Sequence, residues 1–179
     1  MPFRQKSWHK TYLMPESLTF INTSPLLYLH QVEQLAILPK LYGTIIAPAA
    51  VEQELSVGRE RGVDVPELGG LNWLQIQTIE SDLTVPNIVD LGRGEAEVIA
   101  LGLQNPTGLL ILDDQLGRRI AALSQLRYTG TLGILVKAKQ AGYLTAVSPI
   151  VAKLQTKGMW LTPAIIKTTL KLAGEADES

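Results

Sequence analysis

The most constraining feature of the chain is Leu109-Leu110-Ile111-Leu112, four apolar residues in a row that end abruptly on Asp113-Asp114. A strand with one wet face alternates apolar and polar positions, whereas an unbroken apolar run reads as a central parallel strand covered on both faces. Such a strand needs helices above and below its sheet, and the rest of the chain supplies them in alternation. Leu18-Thr19-Phe20-Ile21 is a second short, β-prone run that ends at Asn22. Thr23 or Ser24 is placed to cap the next helix, with Pro25 suited to its first turn. That helix passes through Leu26, Leu27 and Leu29, then continues or restarts around Val32–Leu41 until Gly43. Thr44–Ala47 reads as a strand, and Pro48 opens a helix that stops before Gly58.

Residues 58–72 hold four glycines, a proline and five charged residues, so they read as a mobile loop. Trp73–Ile79 reads as an edge strand, followed by a turn-rich segment to Gly92 and a helix from about Gly94 to Leu103. After the acidic pair come a helix to about Leu126, a short strand near Tyr128, and two or three helices to Ala173. The expectation is an α/β fold with a central, mostly parallel sheet, helices on both faces and extra C-terminal helices. It forms one domain over residues 18–179. Residues 1–17 read as an appended flexible arm, and Glu175–Ser179 as a frayed acidic tail.

Composition narrows the chemistry. With 46% hydrophobic and 18% charged residues, the 179-residue chain is too apolar to stay disordered. It has no cysteine, which excludes disulfides and thiolate metal sites, so oxygen ligands must carry any metal chemistry. There is no signal-peptide pattern and no run of the ~20 apolar residues that spans a membrane, which places the chain in the cytoplasm. A net charge of -1 means that contact with a phosphate backbone requires a local basic patch.

In open α/β sheets, ligands bind where the strands end at their carboxyl edge. Asn22, Asp113 and Asp114 follow strands there. On the helix after Pro48, whose apolar face is Ala47, Val51 and Leu55, Glu54 lies about 60° from Val51 and Glu52 about 100° away on the other side. Glu54 is therefore on the buried flank. On the helix after Gly94, Glu95 and Glu97 flank the apolar face on opposite sides, so only one of them points into a given site. Carboxylates gathered at one edge repel each other unless a hard cation such as Mg²⁺ or Mn²⁺ joins them. The chemistry that follows is phosphodiester hydrolysis. Each of these residues also has a plainer reading: Asp113-Asp114 or Asn22 as a helix cap, Glu95 as a first-turn residue, Glu54 as a helix flank. Arg118, solvent-facing, and Arg119, nearer the apolar flank, are candidates to hold a phosphate, or are merely solubilising. The arm from Lys6 to Tyr12, with Trp8 and Tyr12 among basic residues, is a possible stacking surface for single-stranded bases or packs on a partner chain.

Several motifs occur in an order that resembles the PIN-domain (PilT N-terminus) superfamily. They are Asn22-Thr23-Ser24-Pro25-Leu26, Pro48-x-x-Val51-x-x-Glu54-Leu55, Arg93-Gly94-Glu95-Ala96-Glu97 and Leu112-Asp113-Asp114-x-x-Gly117-Arg118. Thr129-Gly130-Thr131-Leu132-Gly133 and Leu172-Ala173-Gly174-Glu175 are similar to one uncharacterised prokaryotic subgroup, related to VapC-type toxin ribonucleases. The resemblance implies a three-layer α/β/α fold and Mg²⁺- or Mn²⁺-dependent endoribonuclease activity. It further implies a toxin–antitoxin pairing and a homodimer, for which Ile165, Ile166 and Leu170 offer an apolar surface. By motif match the metal ligands are Asn22, Glu54, Glu95 and Asp113 or Asp114, with the Thr23 or Ser24 hydroxyl alongside and Glu97 as a possible addition. PIN domains carry aspartate where this chain has Asn22, so a second reading is an impaired nuclease that binds RNA or a partner protein. A Rossmann nucleotide module is disfavoured because no Gly-rich loop follows the first strand. A phosphoacceptor domain is disfavoured because the acid pair follows a late strand.

Overall fold

The computed structural model describes residues 17–79 and 90–175. Five parallel strands form the sheet: β1 (Thr19–Ile21), β2 (Ile45–Pro48), β3 (Leu74–Gln77), β4 (Leu109–Ile111) and β5 (Arg127–Thr129), in the order β3-β2-β1-β4-β5. Eight α-helices accompany them among the described residues: α1 (Thr23–Gln31), α2 (Ile37–Tyr42), α3 (Ala49–Glu60), α4 (Arg93–Gln104), α5 (Gln115–Leu123), α6 (Thr131–Gln140), α7 (Ser148–Thr156) and α8 (Pro163–Leu172). This is the three-layer α/β/α arrangement expected from the alternating apolar runs.

The sheet has two cores, and β1 shows why its residues are apolar in succession. Phe20 packs with Val98, Ile99 and Leu101 of α4 and Leu110 of β4, while Ile21 on the opposite face packs with Leu26, Leu29 and Ile134. Both are essentially inaccessible. Each such side chain contributes about 1.5–3 kcal/mol by leaving water. The central position belongs to β1, not to the Leu109–Leu112 strand, which lies between β1 and β5. Both strands have two covered faces, so apolar continuity alone does not order them.

Several boundaries differ from expectation. The helix after Pro48 does not stop before Gly58: α3 runs on to Glu60 with Gly58 inside it. The 58–72 stretch is correspondingly tied down. His30 bonds Asp64 at 2.8 Å, Arg59 pairs with Glu67 at 2.9 Å, and a 3-10 turn covers Leu68–Gly70. The helix after β1 ends at Gln31 and restarts at Ile37, the break being taken by Glu33 at φ 61°. The arm at residues 1–17, apart from Ser17, lies outside the described residues, as do most of the turn-rich segment before Gly92 and residues 176–179.

Glu175 is not part of a frayed tail. Its carboxylate accepts the N–H groups of Val147 (2.5 Å) and Ser148 (2.8 Å) at the start of α7, and Nζ of Lys139 on α6 (2.6 Å). Burial by itself pushes this carboxyl up, but the bonds from Lys139, Val147 and Ser148 and the Lys139 charge outweigh it and hold it below the usual carboxylate range. A depressed folded-state pKa means that the clasp stabilises fully above about pH 4.3 and loses its effect as pH falls through the lowered value. Glu175→Gln is thus expected to lower Tm at pH 7 by about 2–4 °C per kcal/mol that the clasp contributes. Thermal melts at pH 7 and near pH 2.5 check this, the gap from wild type closing at the acid end.

Candidate metal centre

Register brings the site together. Ile21, Ile111 and Thr129 lie side by side on β1, β4 and β5. The ladder continues one step further, with Asn22 N donating to Ile111 O (3.1 Å) and Leu112 N to Thr129 O (2.9 Å). Asn22, Asp113 and Gly130 therefore stand together at the carboxyl edge. Helices α1, α5 and α6 begin there, and their N-termini favour anionic groups.

Asn22 is fully buried at the N-cap of α1, yet its side chain makes no capping bond. Its plainer reading as a helix cap is thereby excluded. Its Nδ2 instead donates to Glu95 Oε1 at 2.6 Å, and its Oδ1 has no hydrogen-bond partner. Glu54 reaches the same place from α3. Its Oε1 accepts the N–H of Gly94 at 2.9 Å, and its Oε2 accepts the hydroxyl of Thr23. Gly94 explains the approach: a Cβ there would sit 2.6 Å from Asn22 Oδ1 and 2.8 and 3.0 Å from the two Glu54 oxygens. Three acceptor oxygens thus converge on a space that exists because residue 94 has no side chain.

The two glutamates of α4 separate as helical geometry requires. Glu95 faces Asn22, whereas Glu97 is buried against the start of α3. Glu97 Oε2 accepts Ala50 N at 3.3 Å, and its Oε1 accepts Arg93 Nε at 2.9 Å. Glu97 holds the beginning of α3 one turn before Glu54, so it positions that carboxylate without facing the Gly94 space.

The acidic pair also divides. Asp114 caps α5, accepting Gly117 N at 2.7 Å, so its plainer reading is realised. It still adjoins the site, because a Cβ on Gly117 would lie 3.6 Å from both Asp114 Oδ1 and Glu95 Cγ. Asp113 turns the other way, where its two oxygens accept the N–H (2.7 Å) and hydroxyl (2.5 Å) of Thr131. Burial pushes the Asp113 carboxyl above its usual range, against the opposing bonds from Thr131 and the charge of Arg118. Tyr28 of α1 is close enough that the Asp113 charge adds to burial in raising its phenol.

Ser24 takes no part in this network among the described residues. Arg118 and Arg119 are both exposed, so Arg118 faces solvent as expected, whereas Arg119 is not held on a buried flank. Arg118 lies over the Tyr128 ring and beside Gly130, since Gly117 and Ala121 set the buried phase of α5. Gly94, Thr131 and Tyr28 were not singled out from the sequence. The first two stood within the quoted motifs Arg93-Gly94-Glu95 and Thr129-Gly130-Thr131, which were the available signal. Nothing in the residue order pointed to Tyr28.

A three-layer α/β/α fold with carboxylates and an amide gathered at the carboxyl edge defines a class of acidic-site domains. The chain belongs to the PIN-domain family: residues 18–175 match the family model described as DUF3368, PIN domain. It is accordingly a member of a nuclease superfamily whose domains depend on divalent metal and act on nucleic acid. Comparison with curated proteins and with solved structures gave no match. No helix among the described residues is long and apolar enough to cross a membrane.

The donor set fits a hard divalent ion in kind, being made of oxygens alone. Asn22 Oδ1 is buried without a donor beside the Glu54 carboxylate at the Gly94 space, and a cation there would supply the partner it lacks. Among the described residues, however, no three Asp, Glu or His side chains form a ready-made metal cluster. Asn22 stands at the junction where a third carboxylate would complete one.

Proposed function

We propose that the chain is a Mg²⁺- or Mn²⁺-dependent endoribonuclease. The observation that supports this most directly is the buried, unpartnered Oδ1 of Asn22 turned toward Glu54 in the space above Gly94. Asn22, Glu54, Glu95 and Asp114 would hold the ion, with Asp113 at its margin. A divalent ion there activates water and neutralises charge on a phosphoryl oxygen, which is what phosphodiester hydrolysis needs. The protein's own contribution is orientation. Thr23 and the Gly94 N–H fix both oxygens of Glu54, the Asn22 amide fixes Glu95, and the Gly117 N–H fixes one oxygen of Asp114 while leaving the other free. The resemblance to toxin ribonucleases extends the reading to a cytoplasmic homodimer restrained by a small antitoxin protein. The exposed Ile165 and Leu172 of α8 support an interface of that kind.

The test is cleavage of short single-stranded RNAs with Mn²⁺ or Mg²⁺ by the wild type and by Asp114→Asn. Asn caps a helix as well as Asp does, so the variant keeps α5 and changes only the charge. Cleavage is expected to fall at least about tenfold, the loss that ~1.4 kcal/mol brings. A wild type that cuts no RNA with either metal sinks the reading.

A second reading has its own observation. The Asn22 Nδ2 bond occupies a Glu95 oxygen, and the neutral amide stands where an acid would add charge for a metal, which supports a PIN domain that binds RNA or a partner protein without cutting.

A further inference from the structure

Charge is distributed very unevenly along the chain. Residues 115–174 contain nine lysines and arginines and not one Asp or Glu, whereas the remainder carries seven cations and all 17 acids. In the fold this stretch is α5, β5, α6, α7 and α8, which begins immediately beyond Asp114 and includes the sheet edge opposite β3. The net charge of -1 is therefore the balance of two opposed parts, and the acidic edge lies at their seam.

On the basic side of that seam, one flank carries features suited to a polyanion with flat bases. The Arg118 guanidinium lies 5.9 Å from the centre of the Tyr128 ring, and that ring is 41% exposed. Arg118 Nη2 is also 3.4 Å from where a Cβ on Gly130 would sit, a point 2.7 Å from Asp113 Oδ1. The cation and ring thus begin at the acidic edge and lead away from it along β5. Arg119 on α5 and Arg127 at the start of β5 are exposed as well, and Arg127 Nη1 donates to the Thr107 carbonyl at 3.3 Å. None of the three arginines is in an ion pair among the described residues.

We propose that the α5–β5 flank is the track on which single-stranded RNA lies as it leaves the acidic edge, with one base stacked on Tyr128 and the adjoining phosphate held by Arg118. The choice of RNA as occupant rests on the nucleic-acid reading given above. An exposed ring stacks on any base that is itself unstacked, which selects a single strand over a duplex. Guanidinium groups grip phosphate through paired N–H donors and add a cation to the stack. An acidic protein segment would use the arginines but gains nothing from the exposed part of the Tyr128 ring beside Arg118.

The test measures anisotropy of a short labelled oligo-uridine in EDTA, across a salt series, with folding of each variant checked by circular dichroism. Tyr128→Leu is expected to weaken binding by roughly tenfold, within the range for losing one base stack. Arg118→Gln should reduce the slope of log affinity against log salt by about 0.7, the share of one phosphate contact on a single strand. Arg61→Gln, an exposed cation at the end of α3, should change neither the stack nor the slope. Wild-type affinity in Tyr128→Leu and Arg118→Gln overturns the proposal, as does a wild type that binds no RNA. Displacement of the RNA by polyglutamate with Tyr128→Leu unaffected also overturns it, and assigns the flank to an acidic protein. The same proteins assayed with Mn²⁺ separate the two readings. A wild type that binds here but cuts nothing keeps the track and sinks the nuclease. A wild type that cuts, with both variants at unchanged KM, does the reverse.

Discussion

Asn22→Asp should tighten Mn²⁺ binding by roughly a thousandfold. A unit charge about 4 Å from the ion is worth on the order of 4 kcal/mol at an effective dielectric of 20, and each 1.4 kcal/mol is a factor of ten. The substitution changes one group at a position already buried and already aimed at Glu54. The same change has a second consequence without metal. Asn22 Nδ2 now donates to Glu95 Oε1 at 2.6 Å, and a carboxylate in its place sets two anions against each other. The variant is therefore expected to melt below the wild type in EDTA and above it in excess Mn²⁺. Calorimetric titration with Mn²⁺ and melts under both conditions read the two halves of this expectation. An affinity within threefold of wild type would mean that Asn22 does not face the ion. Cleavage that appears only in the variant would assign the natural chain to the binding reading.

Gly94→Ala is expected to abolish the site while sparing the fold. Alanine is favoured over glycine in helices by about 1 kcal/mol, so α4 itself has no reason to weaken. The new methyl would fall 2.6 Å from Asn22 Oδ1 and no more than 3.0 Å from either Glu54 oxygen. Asn22 has nowhere to retreat, being fully buried, and Glu54 is held by Thr23 and the Gly94 N–H. Moving any of these oxygens by an ångström removes a ligand from reach, and metal affinity and cleavage should fall by about 100-fold or more. Helical circular dichroism that stays at the wild-type level, together with normal Mn²⁺ binding, would show that the ion is held elsewhere.

Much of the architecture was legible because apolar continuity and alternation report burial directly. Leu109–Leu112 announced a doubly covered strand, and the following Asp113-Asp114 announced its carboxyl edge. The division of labour within that pair was not legible. Neighbouring residues leave a strand toward opposite faces, and what awaits Asp113 is Thr131, 18 residues later on another helix. Glu95 and Glu97 were correctly placed on opposite flanks of one helix. Which flank met Asn22 depended on where α3 lay, and α3 is anchored by Glu97 itself. The end of α3 was missed because glycine reads as a helix stop, whereas Gly58 lies within the helix, which continues to Glu60. The missing acids between residues 115 and 174 were open to inspection all along, but a net charge near zero conceals them.

The clasp at Glu175 has a consequence for the order in which the protein is completed at the ribosome. Every residue of the acidic edge, from Asn22 to Thr131, is synthesised before the carboxylate that fastens α7 to α6. At about 5–20 residues per second, the interval from Thr131 to Glu175 lasts roughly 2–9 s. The residues proposed to hold the ion are therefore all made before the carboxylate that latches the C-terminal helices around them.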